Sequence, residues 1–247
     1  MNKFSKCAFL FLFFSGAASA ADKPACEENI AVGATYHVSQ QALGTDKKKE
    51  KTIELWRSGN VVAHDHIDKG ITLIWNKTSN GRLRVVQAFN RQERAIEYEP
   101  QSMSNDNNWL EKTQLFDQQL RDKMQLVKTE GEGCELQQTY SLKSDDTERT
   151  LVWLPNKNLA SYYSAKNKED QLTWQLDDVV IDNKRIQQNF SKWEGYQSTD
   201  YADIGDNESD PFLLKMINLG FISHGAEGFY DAEGNSLGSA HGANHGH

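Results

Sequence analysis

Positive charge, cysteine and long apolar runs are all in short supply in this 247-residue chain, and each shortage removes a class of function. Lys and Arg number 27 against 35 Asp and Glu, a net charge of −8. Such a surface repels phosphate backbones and anionic lipid head groups, so nucleic acid is not an expected partner. Beyond the first twenty residues no apolar stretch approaches the roughly 20 residues that a membrane-crossing helix needs, so no stable membrane span is expected. The three cysteines form no Cys-x-x-Cys motif, which removes the usual setting of a reactive thiol. A nucleophile elbow, a zincin helix, a phosphate loop and a dinucleotide loop are all missing as well. Carboxylate pairs such as Glu97 with Glu99, or Asp177 with Asp178, carry no specific signal in so acidic a chain. The expectation is a binding protein rather than an enzyme.

The first twenty residues read as an export signal. Lys3 and Lys6 supply a short positive start, Cys7 to Phe14 is continuously apolar, and Ala18-Ser19-Ala20 gives the small-x-small pattern cut by signal peptidase. Removal of residues 1–20 takes Lys3, Lys6 and Cys7 with it. The mature chain then carries 25 basic against 35 acidic residues, a net charge of −10, and two cysteines. In an oxidising compartment such as the periplasm, two remaining thiols most often pair. A Cys26–Cys134 disulfide is therefore expected as a staple, contributing about 2–4 kcal/mol through restriction of the unfolded chain.

From Thr35 to Glu99 short alternating runs are separated by turn residues. Thr52 to Arg57 precedes Ser58-Gly59-Asn60, Val61 to Ile67 precedes Asp68-Lys69-Gly70, and Ile71 to Trp75 is followed by Ser79-Asn80-Gly81. Leu83 to Phe89 and Ala95 to Tyr98 complete the set. Even spacing of this kind describes an antiparallel meander with one buried face. Trp109, Thr113, Phe116, Leu120, Met124 and Val127 then recur every three or four residues, which predicts one helix over 109–127 ending at Gly131 and Gly133. A second set of strands is expected over 135–142, 150–154, 159–165 and 171–176. Asp182 is placed to cap a helix that runs to Trp193, and Asp210-Pro211 opens a helix that ends before Gly220. The fold class that follows is α+β: a curved antiparallel sheet, an incomplete barrel, covered by a few helices. Three segments are expected, namely a signal peptide over 1–20, one α+β domain over 21–233 and a flexible Gly- and His-rich tail over 234–247.

Leu151-Val-Trp-Leu-Pro-Asn-Lys-Asn-Leu159, followed by two alternating runs, resembles the "strand, Asp-Pro-Lys-like turn, strand, charged hairpin, strand" order of the periplasmic lipoprotein-carrier superfamily, the LolA and LolB type. Glu54-Leu-Trp-Arg-Ser-Gly-Asn60 is similar to the strand and turn where those chains often read Trp-Arg-x-Gly. The resemblance touches about residues 52–181. It implies an incomplete, strongly curved antiparallel barrel with helices over its open side and an apolar cavity between them.

Two candidate sites follow. Trp56, Trp75, Trp153 and Trp174 fall in alternating strands and are expected to face inward, either as core or as the lining of a cavity for a lipid or other apolar ligand. The second candidate is a divalent metal, the one cofactor the residues offer. Asp200, Asp203, Asp206 and Glu208 crowd around Gly205, as a hard cation requires, although their spacing departs from the calcium-loop pattern. His241, His245 and His247 offer imidazoles that suit Zn²⁺, Cu²⁺ or Ni²⁺. The bland alternatives are a solvated acidic loop with Asp210 as a helix cap, and adventitious binding by the tail. His64 and His66 alternate with Asp65 and so share one sheet face.

Overall fold

The structure, a computed structural model, describes residues 31–102, 106–144, 146–207 and 209–221. The leader, Cys26, Glu208, the tail from 234 and its His241, His245 and His247 lie outside the described residues.

Six strands follow one another as a meander: β1 Val32–Ala42, β2 Lys48–Ser58, β3 Val61–His66, β4 Ile71–Lys77, β5 Arg82–Phe89 and β6 Arg94–Ser102. Two short helices come next, α1 Asp106–Gln114 and α2 Gln118–Asp122. A second meander runs through β7 Gln125–Glu130, β8 Gln137–Ser144, β9 Thr147–Leu154, β10 Leu159–Lys166 and β11 Asp170–Val180. Helix α3 Asn183–Glu194, a four-residue strand β12 Gln197–Asp200 and helix α4 Pro211–Asn218 close the described chain. The twelve strands among the described residues belong to one sheet of order β12-β6-β5-β4-β3-β2-β1-β11-β10-β9-β8-β7. Every pairing is antiparallel except β12 with β6. The first and last strands of the two meanders, β1 and β11, zip them together from Gly33–Val180 to Ala42–Asp170. The result is a curved antiparallel sheet that does not close into a barrel, with helices laid over it.

Alternation along the strands sorts the side chains onto two faces, because residues paired across an antiparallel ladder point the same way. The inner face carries Tyr36, Val38, Ile53, Leu55, Val62, Leu73, Trp75, Val85 and Ile96, all buried in the main core. It continues through Trp174 and Tyr163 to Leu151 and Trp153. Helices α1 and α4 cover the first part of this face, and Phe116, Leu120 and Met124 cover the part over β8 to β10. The outer face is narrower. Trp56, Ala63, Ala88 and Ala95 receive Ile186, Phe190 and Trp193 of α3. Each of these large apolar side chains contributes about 1.5–3 kcal/mol when fully buried. Small residues on the strands let the helix approach, and Gly33 is smallest of all. A Cβ at Gly33 would run into the Trp56 ring, since the two residues are direct partners across β1 and β2.

The ends of α3 and α4 follow the sequence rules. The Asp182 carboxylate accepts from Lys184 N at 2.8 Å, and the Asp210 carboxylate accepts from Phe212 N at 2.8 Å. Arg94 reaches from β6 to the Asp210 carboxylate at 2.8 Å and lies 4.7 Å from the Phe212 ring, fastening α4 to the sheet.

The single helix expected over 109–127 is not formed. Leu115 takes φ +52, a left-handed conformation that ends α1, and Asp117 caps α2 by accepting from Gln119 N at 2.8 Å. From Gln125 the chain becomes strand, paired with β8. The stripe of apolar residues is real, but it is shared between two packing sites. Trp109 and Leu115 rest on the main core, while Phe116, Leu120 and Met124 pack around Trp153.

Candidate functional site

The most specific chemistry in the structure lies where the β2–β3 hairpin meets the end of α1. A helix leaves its last carbonyls without partners and carries negative potential there. Two side chains from the inner sheet face meet that end. His64 of β3 donates from Nε2 to the carbonyl oxygen of Lys112 at 2.7 Å. Arg57 of β2 donates from Nη1 to the carbonyl of Thr113 at 2.5 Å and to that of Asn158 at 3.2 Å, and from Nη2 to the carbonyl of Lys157. One guanidinium therefore ties α1 to the turn between β9 and β10.

Ring contacts reinforce the seat of α1. His64 meets Trp75 edge-on with centroids 4.6 Å apart, and Lys112 Nζ lies 4.7 Å from the same indole. Lys77 Nζ stands 5.8 Å from the Trp109 ring. Burial lowers the His64 pKa to about 3; its bond to the Lys112 carbonyl works against that, and the charges of Lys112 and His66 add to the lowering. His64 is thus neutral, with Nδ1 bare. Burial likewise lowers Arg57 to about 10, partly offset by Tyr36, and leaves it charged at neutral pH.

Beside this junction lies a cleft of about 570 Å³. Its walls come from β1 (Val32), the β2–β3 turn, α1 (Trp109, Leu110, Gln114), Cys134, the 156–158 turn and Ile181. Two features distinguish it. Leu110 and Ile181 are 38% and 64% exposed although both are large and apolar. Gln114 is only 5% exposed, and its Oε1 has no partner among the described residues. A buried acceptor left unpaired costs about 1–3 kcal/mol, which a bound donor would recover. Volumes of about 300–1,000 Å³ are usual for small-molecule sites.

The four tryptophans do not come together in one cavity. Trp75, Trp153 and Trp174 share the inner face, while Trp56 sits on the opposite face beneath α3. Trp75 is sealed by His64 and Lys112, and Trp174 packs edge-on against Tyr36 at 6.0 Å. Trp153 lines a separate cavity of about 370 Å³ with Tyr140, under the guanidinium of Arg121 at 4.1 Å. The residue that does line the main cleft is Trp109, on α1. Alternation with the inward Leu55 was the signal that Trp56 turns outward. No sequence signal tied Arg57, Lys112 and Gln114 to one place, because they belong to distant segments.

Three of the four acidic candidates lie among the described residues. Asp200 ends β12, and Asp203 and Asp206 lie in two successive 3₁₀ turns, all exposed to solvent. Among the described residues no three His, Cys, Asp or Glu side chains gather as a metal ion requires. Cys134 is disulfide-bonded, with its partner outside the described residues. None of the described helices is long and apolar enough to cross a membrane.

No protein-family model matches the chain. No curated protein matches it either. Among solved structures it is similar to PNGF-II at 9% identity and a TM-score of 0.37, over 69% of this chain and 31% of that one. It is also similar to a LolA superfamily protein from Nitrosomonas europaea, at 7% identity and a TM-score of 0.25 over 63% of this chain and 87% of that one. An outer membrane lipoprotein-sorting protein domain from Vibrio parahaemolyticus gives 7% identity and a TM-score of 0.25, over 65% of this chain and 91% of that one. The chain thus spans about a third of the length of PNGF-II.

Proposed function

We propose that the chain is an exported, non-enzymatic binding module that holds the apolar part of a ligand in the cleft between α1, the β2–β3 turn and the 156–158 turn. The observation that carries this reading is the pairing of solvent-facing apolar side chains with an unsatisfied buried acceptor. Trp109, Leu110, Val32 and Ile181 offer apolar surface, and Gln114 Oε1 offers a point of orientation. Pockets for small molecules combine these two features in the same proportion, mostly apolar with a few placed polar groups. Export rests on the leader sequence at residues 1–20.

The test is direct binding of N-phenyl-1-naphthylamine, a neutral apolar probe whose fluorescence rises on leaving water, together with mass spectrometry of lipid extracted from freshly purified protein. Leu110→Glu and Ile181→Glu place charge on exposed positions of the cleft wall and leave the core untouched. Each is expected to weaken probe binding about tenfold, the equivalent of about 1.4 kcal/mol, with no change in melting temperature. Equal affinity in the variants would remove the cleft from consideration. The metal reading over Asp200, Asp203, Asp206 and Glu208, and over His241, His245 and His247, has no geometric support among the described residues.

A further inference from the structure

Hydrogen bonding in the cleft wall is one-sided. Of the buried side-chain atoms left without a partner among the described residues, Gln114 Oε1 alone belongs to this wall. An amide oxygen can only accept a hydrogen. Four side chains of the same wall that could donate already do so to backbone carbonyls. Arg57 is bonded to the carbonyls of Thr113, Asn158 and Lys157. Lys157 Nζ donates to the Cys134 carbonyl at 2.9 Å, Thr113 Oγ1 to the Leu110 carbonyl at 2.9 Å, and Asn156 Nδ2 to the Gly133 carbonyl. Gln114 is also the last residue of α1, and the final turn of a helix carries negative potential.

We propose that the cleft selects an uncharged apolar molecule that carries an N–H or O–H donor, an amide or an alcohol, and that Gln114 makes the selection. This choice of ligand rests on the binding function proposed above and adds its chemical class. A donor group pairs with Gln114 Oε1 while the apolar body lies against Trp109, Leu110 and Ile181. An ester or a hydrocarbon fills the same space but leaves the acceptor unpaired, and sites built around a polar partner reject analogues that lack it. A carboxylate fares worse. It sets its oxygens against Gln114 Oε1, and it must compete with backbone carbonyls for Arg57 and with Glu135, 3.9 Å away, for Lys157. An ammonium gives up its water for a single neutral acceptor, which does not repay the cost of burying a charge.

N-methyldecanamide and methyl decanoate differ only by an N–H in place of an ester oxygen, and decanoate and decylammonium supply the two charges on a chain of equal length. Each is measured by displacement of N-phenyl-1-naphthylamine from the full-length protein and from its Gln114→Leu variant, with Gln114→Met in reserve if the leucine does not fold. Wild type is expected to bind the amide about tenfold more tightly than the ester, and both charged compounds more weakly than the amide. In Gln114→Leu the amide should lose that advantage, so that the ester binds at least as well. The melting temperature of the free variant is expected to hold or rise, because an unpaired buried acceptor has been removed. An amide preference of the same size in both proteins would overturn the role of Gln114 and leave the binding module standing. Decanoate or decylammonium binding as tightly as the amide would overturn the ligand class in the same way. No binding of the probe or of any of the four compounds would end the binding module and the donor preference together.

Discussion

At the scale of single residues, the inner face holds an imidazole in an unusual state. His64 is neutral because it is buried, and its folded pKa of about 3 lies well under the ordinary value of 6.5. A depressed histidine pKa means the unfolded chain takes up the proton first. The stability His64 contributes is therefore complete above about pH 6.5 and lost as pH falls toward 3, at about 1 kcal/mol per pH unit. Asp65, its neighbour on the outer face, acts in the opposite sense. Burial raises its pKa even though Asn90 Nδ2 donates to it at 2.9 Å. Its contribution is greatest in acid and shrinks as pH rises through that raised value. His64→Gln keeps a donor for the Lys112 carbonyl and removes the titration. Urea midpoints measured between pH 4 and 7.5 should show the variant losing less stability toward acid than wild type. Parallel pH profiles would show that His64 is not the sensitive group.

At the scale of elements, the instructive case is the segment 106–130. Its apolar residues recur at helical spacing, yet it folds as two short helices and a strand. Periodicity reports which residues must be buried, not whether they are buried against one surface. Here Trp109 belongs to the main core and Phe116 to the Trp153 cluster, where it meets Tyr163 edge-on at 5.1 Å. The chain must turn between them, and Leu115 supplies the turn at φ +52. A leucine gives no warning of this, whereas a glycine there would have. Helices α3 and α4 were legible for the opposite reason: Asp182, Asp210 and Pro211 are local signals that tertiary contacts did not override. Leu115→Ile keeps the volume and adds a branched Cβ at positive φ, where such residues are genuine outliers. A loss of about 1–3 kcal/mol in urea unfolding is expected. The same exchange at Leu136, which has φ −61, should cost much less. Equal losses at the two positions would show that Leu115 is not the strained corner.

At the scale of the whole molecule, the order of the sheet decides how stability is distributed. Turns and alternation made both meanders readable in the sequence, but nothing local announced that β1 would pair with β11, 138 residues further on at its start. That seam is long-range, and it joins everything else. β1 is flanked on both sides, by β2 and β11, and its Val32, Ala34, Tyr36 and Val38 are all buried. β7 is the contrary case: a sheet edge paired, among the described residues, only with β8, every residue exposed, Leu126 and Val127 among them. Its bulge between Leu126 and Lys128, and the charge of Lys128, are the devices that keep an open edge from recruiting another strand. Local opening should then be cheap at β7 and cost nearly the full unfolding free energy at β1. Native-state hydrogen exchange is expected to show β7 amides exchanging about 100-fold or more faster than those of β1, with β8 and β9 between them. Slow exchange along β7 would mean that the edge is covered in solution. In that case its exposed leucine and valine belong to an interface, and the sheet is only part of a larger one.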